Sequence, residues 1–139
     1  MGLQWTTALS VGVPEIDAQH RELFQRVDAL LDAMLANDRS VSARTLAFLR
    51  EYAAVHFGAE EALMREVDYP GLASHAAEHQ AFTAEVDDLG RQLEREGTSA
   101  ALLLELERRV CDWLRDHVYF TDVALGRFVT AARRRTPAR

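Results

Sequence analysis

Residues 54–64 read AVHFGAEEALM, and within them His56 and Glu60 stand one helical turn apart. Around the pair, apolar residues recur at three- and four-residue steps: Leu46, Leu49, Tyr52 and Ala53 before it, Leu63 after it. That spacing marks one face of a helix and predicts that the face is buried. Two groups that resist burial therefore occupy the inner stripe of an otherwise ordinary amphipathic helix.

Three further stretches share the pattern. One follows Val13-Pro14, with Asp17 as a candidate N-cap. It carries Ile16, His20, Leu23, Phe24, Val27, Leu30, Leu31 and Met34 before Asn37-Asp38 ends it. Ser40 or Ser42 is the expected cap of the second helix, and Tyr69-Pro70-Gly71 stops it. The third holds Leu72, His75, His79, Phe82, Val86, Leu89 and Leu93, and ends at Gly97. Thr98 or Ser99 caps a fourth, with Leu103, Leu106, Val110, Trp113, Leu114 and His117, continuing past Asp122 toward Phe128. No stretch alternates as a strand does. Short links between long amphipathic helices predict an all-α fold, an up-down-up-down antiparallel four-helix bundle. One domain over residues 1–139 is expected, with 1–16 as an N-terminal arm anchored by Trp5 and 133–139 as a flexible tail.

Composition narrows the function classes. A chain of 139 residues, 48% hydrophobic and 27% charged, can bury a core without disulfide staples. The formal charge of −6 opposes a nucleic-acid surface, which needs a clustered positive field. All sixteen basic residues are arginine, and their one cluster is the terminal RRRTPAR. A single cysteine, Cys111, excludes an intrachain disulfide and suits a reducing compartment. Cys111 precedes His117 by six residues, about 240° around a helix, so it is expected away from the histidines as a small buried hydrophobe. No apolar run approaches a membrane span, and no charged-then-apolar leader opens the chain, which predicts a cytoplasmic protein without membrane insertion. The opening MGLQWT fits a loose myristoylation pattern that chance often produces.

All five histidines lie on the apolar stripes. A lone histidine there is ordinarily a satisfied core residue, but five together with Glu60 would cost several kcal/mol if left without partners. A metal removes the difficulty, because it takes neutral imidazole nitrogen and ionised carboxylate as ligands. His56 with Glu60, and His75 with His79, are one-turn pairs of the kind by which a helix supplies two ligands. Five imidazoles and a carboxylate overfill one ion and suit two. The nitrogen-rich set favours iron over magnesium or calcium, while zinc and manganese also accept it. A second carboxylate is open on spacing alone. Asp122 lies five residues after His117, about 140° around an α-helix, and Asp112 and Asp116 compete with it.

At these residues the chain resembles the bacterial hemerythrins, a family of non-haem di-iron oxygen-binding proteins. The matching pieces are IDAQH (residues 16–20), HFGAEEALM (56–64), YP (69–70), HAAEH (75–79) and WLRDHVYFTD (113–122), together with Trp5, in order and across nearly the whole chain. The resemblance implies His75, His79 and His117 on one iron, His20 and His56 on the other, and Glu60 and Asp122 bridging a hydroxo- or oxo-linked pair. It implies an open position for dioxygen on the iron with fewer protein ligands, and an apolar pocket from Phe57, Trp113, Leu114 and Val118. Reversible oxygen binding for storage, transport or delivery follows from it, by a monomer serving an oxygen-consuming enzyme rather than by a catalyst. Against this stand a di-iron oxidase, peroxidase or nitric-oxide-handling enzyme, an oxygen sensor acting through a separate partner, and a metal-stabilised structural bundle. Ferritin-like oxidases draw on repeated Glu-x-x-His pairs, which this chain lacks. Glu61 and Glu78 are expected to face solvent. Tyr119 and Phe120 either tighten the pocket or face solvent, and Gly58 has no evident reason to sit mid-helix.

Overall fold

Pro14 opens the first helix of the computed structural model, which describes residues 3–135. Proline suits the first helical position because its missing N–H would have no partner there. Helix α1 runs Pro14–Leu35, α2 Arg39–Glu66 and α3 Leu72–Glu96. A fourth helix, α4, spans 100–135. It is continuous but interrupted by two π turns, Glu107–Asp112 and His117–Asp122, where the backbone keeps right-handed helical angles.

The connections are short and chemically specified. Asn37 and Asp68 take left-handed angles (φ 56° and 54°) at the ends of α1 and α2, and Gly97 (φ 74°) ends α3. The cap of α2 is Asp38, whose side chain accepts from the Val41 N–H at 3.0 Å, in place of the expected Ser40 or Ser42. Ser99 caps α4 by accepting from Leu102 N–H. Links this tight make consecutive helices antiparallel neighbours: α1 packs on α2, α2 on α3, and α4 closes the bundle against α3 and α1. The all-α four-helix expectation holds, and among the described residues no helix is long and apolar enough to cross a membrane.

Two boundaries differ from expectation. The arm ends at Val13 rather than residue 16, and Asp17 is no cap. It is buried inside α1, where it accepts from the Ser10 hydroxyl at 2.5 Å and the Val11 N–H at 2.9 Å, pinning the arm to the helix. At the other end α4 carries Arg133–Arg135 within its last turn, residues that the expected flexible tail had included. Residues 136–139, like the Met1-Gly2 of the myristoylation pattern, lie outside the described residues. Trp5 anchors the arm as expected: it packs on the core, with the Arg21 guanidinium 4.3 Å over its ring. Farther along, the arm crosses α4 at Gly126, where any Cβ would strike the Val11 carbonyl.

The core falls into two apolar clusters. The larger is built on Leu23, Val27, Leu49, Phe82, Val86, Val110 and Leu114. The smaller gathers Val11, Val13, Ile16, Leu63, Met64, Leu125 and Val129. The buried imidazoles and carboxylates come from the same helices that build both clusters.

Candidate metal centre

All five histidines reach the interior, each no more than 4% exposed, with Glu60 at 0% and Asp122 at 1%. His20 comes from α1, His56 and Glu60 from α2, His75 and His79 from α3, and His117 and Asp122 from α4. Their ligand atoms fall into two groups, each with all its atoms within 4.8 Å of one another. One group is His75, His79 and His117 with Glu60 and Asp122. The other is His20 and His56 with the same two carboxylates. The structure thus brings together all seven expected residues.

The carboxylates divide between the groups oxygen by oxygen. Glu60 Oε1 faces His79 Nε2 at 3.0 Å and His75 Nε2 at 3.4 Å, while Oε2 faces His56 Nε2 at 3.2 Å and His20 Nε2 at 3.4 Å. Asp122 Oδ1 faces His75 at 2.9 Å and His117 at 3.3 Å, and Oδ2 faces His20 at 3.0 Å. Both oxygens of Glu60 and of Asp122, and Nε2 of His20, His75, His79 and His117, are ion-pair neighbours, yet none of them has a partner in good hydrogen-bond geometry. Buried polar atoms are almost always satisfied. Orphans that converge from four helices on common points are the donor set a pair of cations requires, so the residues fit two metal ions.

Electrostatics agree. Burial opposes a charge on His20 and on His75, but Asp122 and Glu60 outweigh it and lift both imidazoles to about 9. His117 moves up for the same reasons, with Glu78 contributing. Burial pushes Glu60 upward, yet the imidazoles of His56 and His20 hold it well below the usual carboxylate range. Asp122 is likewise held down by His117, His20 and His75, against burial and the neighbouring Glu60. Imidazoles so raised hold protons that an entering metal ion would have to displace.

The π turn brings Asp122 back toward the cluster. In an α-helix Asp122 would point about 140° from His117. A π turn closes residue i on i+5, and the turn His117–Asp122 spans that interval. Asp122 therefore returns to the inner face. The competitors point outward, with side chains 55% exposed at Asp112, which pairs with Arg115, and 64% at Asp116.

Outside the ring of ligands lie partners that spacing did not reveal. The Nδ1 of His56 meets Gln19 Oε1 at 2.7 Å, that of His79 meets Glu61 Oε2 at 2.9 Å, and that of His117 meets Glu78 Oε1 at 2.8 Å. Thr121 donates to the same Glu78 oxygen at 2.9 Å. Glu61 and Glu78 are thus not simply solvated. A residue beside an inward ligand lies about 100° around the helix, which in a bundle aims it at the next helix. Each of the three follows that logic, reaching from α1 to α2, α2 to α3, and α3 to α4. An Nδ1–H donated outward leaves the Nε2 lone pair directed inward.

Aromatic rings cover one side. Phe57 stacks on His79 at 3.9 Å with planes 9° apart, and Trp113 stacks on His117 at 4.6 Å and 10°. Phe82 packs edge-on to Phe57 and against Trp113. Leu114 and Val118 are buried in the same cluster. Tyr119 and Phe120 face solvent at 51% and 67% exposure, which removes them from the pocket. Cys111 is buried away from the ligand groups, its thiol pushed up to about 12 first by burial.

Comparison with known proteins agrees with this geometry. The family model for the hemerythrin HHE cation-binding domain matches residues 11–127. A bacteriohemerythrin of Methylococcus capsulatus is 30% identical over 93% of this chain and 98% of its own. One from Stenotrophomonas maltophilia is 30% identical over 93% of this chain and 82% of its own. A crystal structure of a hemerythrin point mutant superposes with a TM-score of 0.83 at 29% identity, covering 94% of this chain and 99% of the other.

Proposed function

The chain belongs to the hemerythrin family, and on that premise we propose that it binds dioxygen reversibly at a pair of non-haem irons, for storage, transport or delivery. His75, His79 and His117 would hold one iron, His20 and His56 the other, and Glu60 and Asp122 would span both. The observation that carries the reading is the division of each carboxylate, one oxygen toward each imidazole group. When bound, the ferrous pair supplies the electrons and the coordination position that dioxygen needs.

The chain's own contribution is arrangement and dryness. Outward Nδ1 contacts fix the ring orientation of His56, His79 and His117. Phe57, Trp113, Leu114 and Val118 present apolar surface where water would otherwise reach the centre. The ligand set is richer in imidazole than that of a ferritin-like oxidase. Carriage rather than turnover is the role such a site supports, in a cytoplasm that keeps Cys111 reduced.

The test is optical. Loaded with iron(II) under anaerobic conditions and then exposed to air, the chain should develop a visible charge-transfer band that fades when oxygen is removed and returns with it. Irreversible bleaching with release of peroxide would replace this reading with an oxidase. Leu114→Ser should accelerate autoxidation of the oxygenated form, and an unchanged rate would remove Leu114 from the water barrier.

A further inference from the structure

The outer contacts of the imidazoles are distributed unequally. In the three-histidine group, two rings lean on carboxylates: His79 on Glu61 and His117 on Glu78, with Glu78 also held by Thr121. In the two-histidine group His56 leans on the neutral amide of Gln19; Nδ1 of His20 there, like Nδ1 of His75 in the other group, has no hydrogen-bond partner. Burial does not separate the groups, since all five rings are enclosed.

A carboxylate accepting the Nδ1–H places negative charge behind the ring and makes Nε2 a stronger donor; an amide oxygen supplies only a dipole. We infer that the two metal positions are built with unequal affinity, the three-histidine position filling first and emptying last, with Glu61 and Glu78 as the positioning residues that set much of the difference. Gln19 occupies the equivalent place on the other side and leaves that position looser. The consequence is a stable form carrying a single metal ion, with His20 and His56 free to accept the second. This rests on the two-metal reading of the site given above.

The arrangement also explains a regularity of the sequence. Each outer partner sits beside a ligand of its own helix: Gln19 before His20, Glu61 after Glu60, Glu78 before His79. One helix thereby supplies a donor to the centre and the support for a donor on the next helix. Support and ligand arrive from different helices, so filling one position stiffens the contact between two of them.

The experiment strips metal from the full chain loaded with cobalt(II), a redox-stable probe. Chelator is raised in steps and retained metal is counted by elemental analysis. Two ions per chain should leave in two separated steps. In Glu61→Gln and Glu78→Gln, which keep shape and an acceptor oxygen, the tighter step should weaken by about 10- to 100-fold while the looser step moves much less. Gln19→Glu should tighten the looser step, a gain that misfolding cannot produce. Loss of both ions in one step, or equal weakening of both steps in the glutamine variants, overturns the inference and leaves the two-metal reading standing. A chain that retains no cobalt at all overturns both.

Discussion

Leu49 and Glu60 lie on one helix, eleven residues apart, and both are wholly enclosed at 0% exposure. Leu49 belongs to the apolar cluster that also holds Leu23, Val27, Phe82 and Val86, while around Glu60 stand four imidazoles. The first neighbourhood is stabilised by leaving water, roughly 1.5–3 kcal/mol for each large side chain. The second gathers charged and polar atoms with no hydrogen-bond partners, and its enclosure is unfavourable by itself. The contrast teaches that two regions of equal burial have opposite roles. Apolar layers fold the bundle, and the polar layer carries the donor set that cations would complete.

The largest effect expected from this contrast is that of the metal. At a metal concentration a thousandfold above its dissociation constant, each site should add about 4 kcal/mol to stability, read as a higher melting temperature than that of the chelator-stripped chain. Glu60→Ala removes a ligand common to both groups and should lose most of that gain. Retention of two ions by this variant would show that Glu60 is not shared. Leu49→Ala should cost about 2–5 kcal/mol through the cavity it leaves, equally in loaded and stripped chains and with metal content unchanged. A drop in metal content would mean that the two layers are not separable.

Acidity distinguishes the layers next. His20 and His75 are lifted to about 9 in the metal-free chain, so the folded state binds protons that the unfolded state releases near 6.5. Their contribution is complete below about 6.5 and is lost as pH rises through about 9. Denaturant melts of stripped chain should weaken between those values, on the order of 3 kcal/mol for each imidazole, while metal affinity strengthens as competing protons depart. Stability flat over this window would contradict the proton-filled cluster. The smallest effect is at Gly58, beside the ligand helix face but outside both layers. A Cβ there would meet nothing within 4 Å, so Gly58→Ala should stabilise the chain by about 1 kcal/mol, seen as a modest rise in melting temperature without change in bound metal.

Much of this was legible from residue order because α1, α2 and α3 are regular. Their three- and four-residue steps place His20, His56, Glu60, His75 and His79 on one inner surface, and the structure agrees. Legibility fails where the helix changes its winding. Asp122 could not be placed by an α-helical wheel because the chain between it and His117 forms a π turn, and nothing in HVYFTD announces one. It fails again for Glu61 and Glu78. A carboxylate beside a ligand looks solvated on a single helix and finds its imidazole only when the neighbouring helix is present. The ends follow the same rule: Asp17 resembles a cap by position but serves to bind the returning arm at Ser10 and Val11.

The most direct measurement of the central claim is metal content. Full chain equilibrated with excess iron(II) under anaerobic conditions, with free iron measured in the dialysate and subtracted, should contain two irons per polypeptide. A value of one or less under conditions where the bundle is fully helical would contradict the assignment of two positions sharing Glu60 and Asp122.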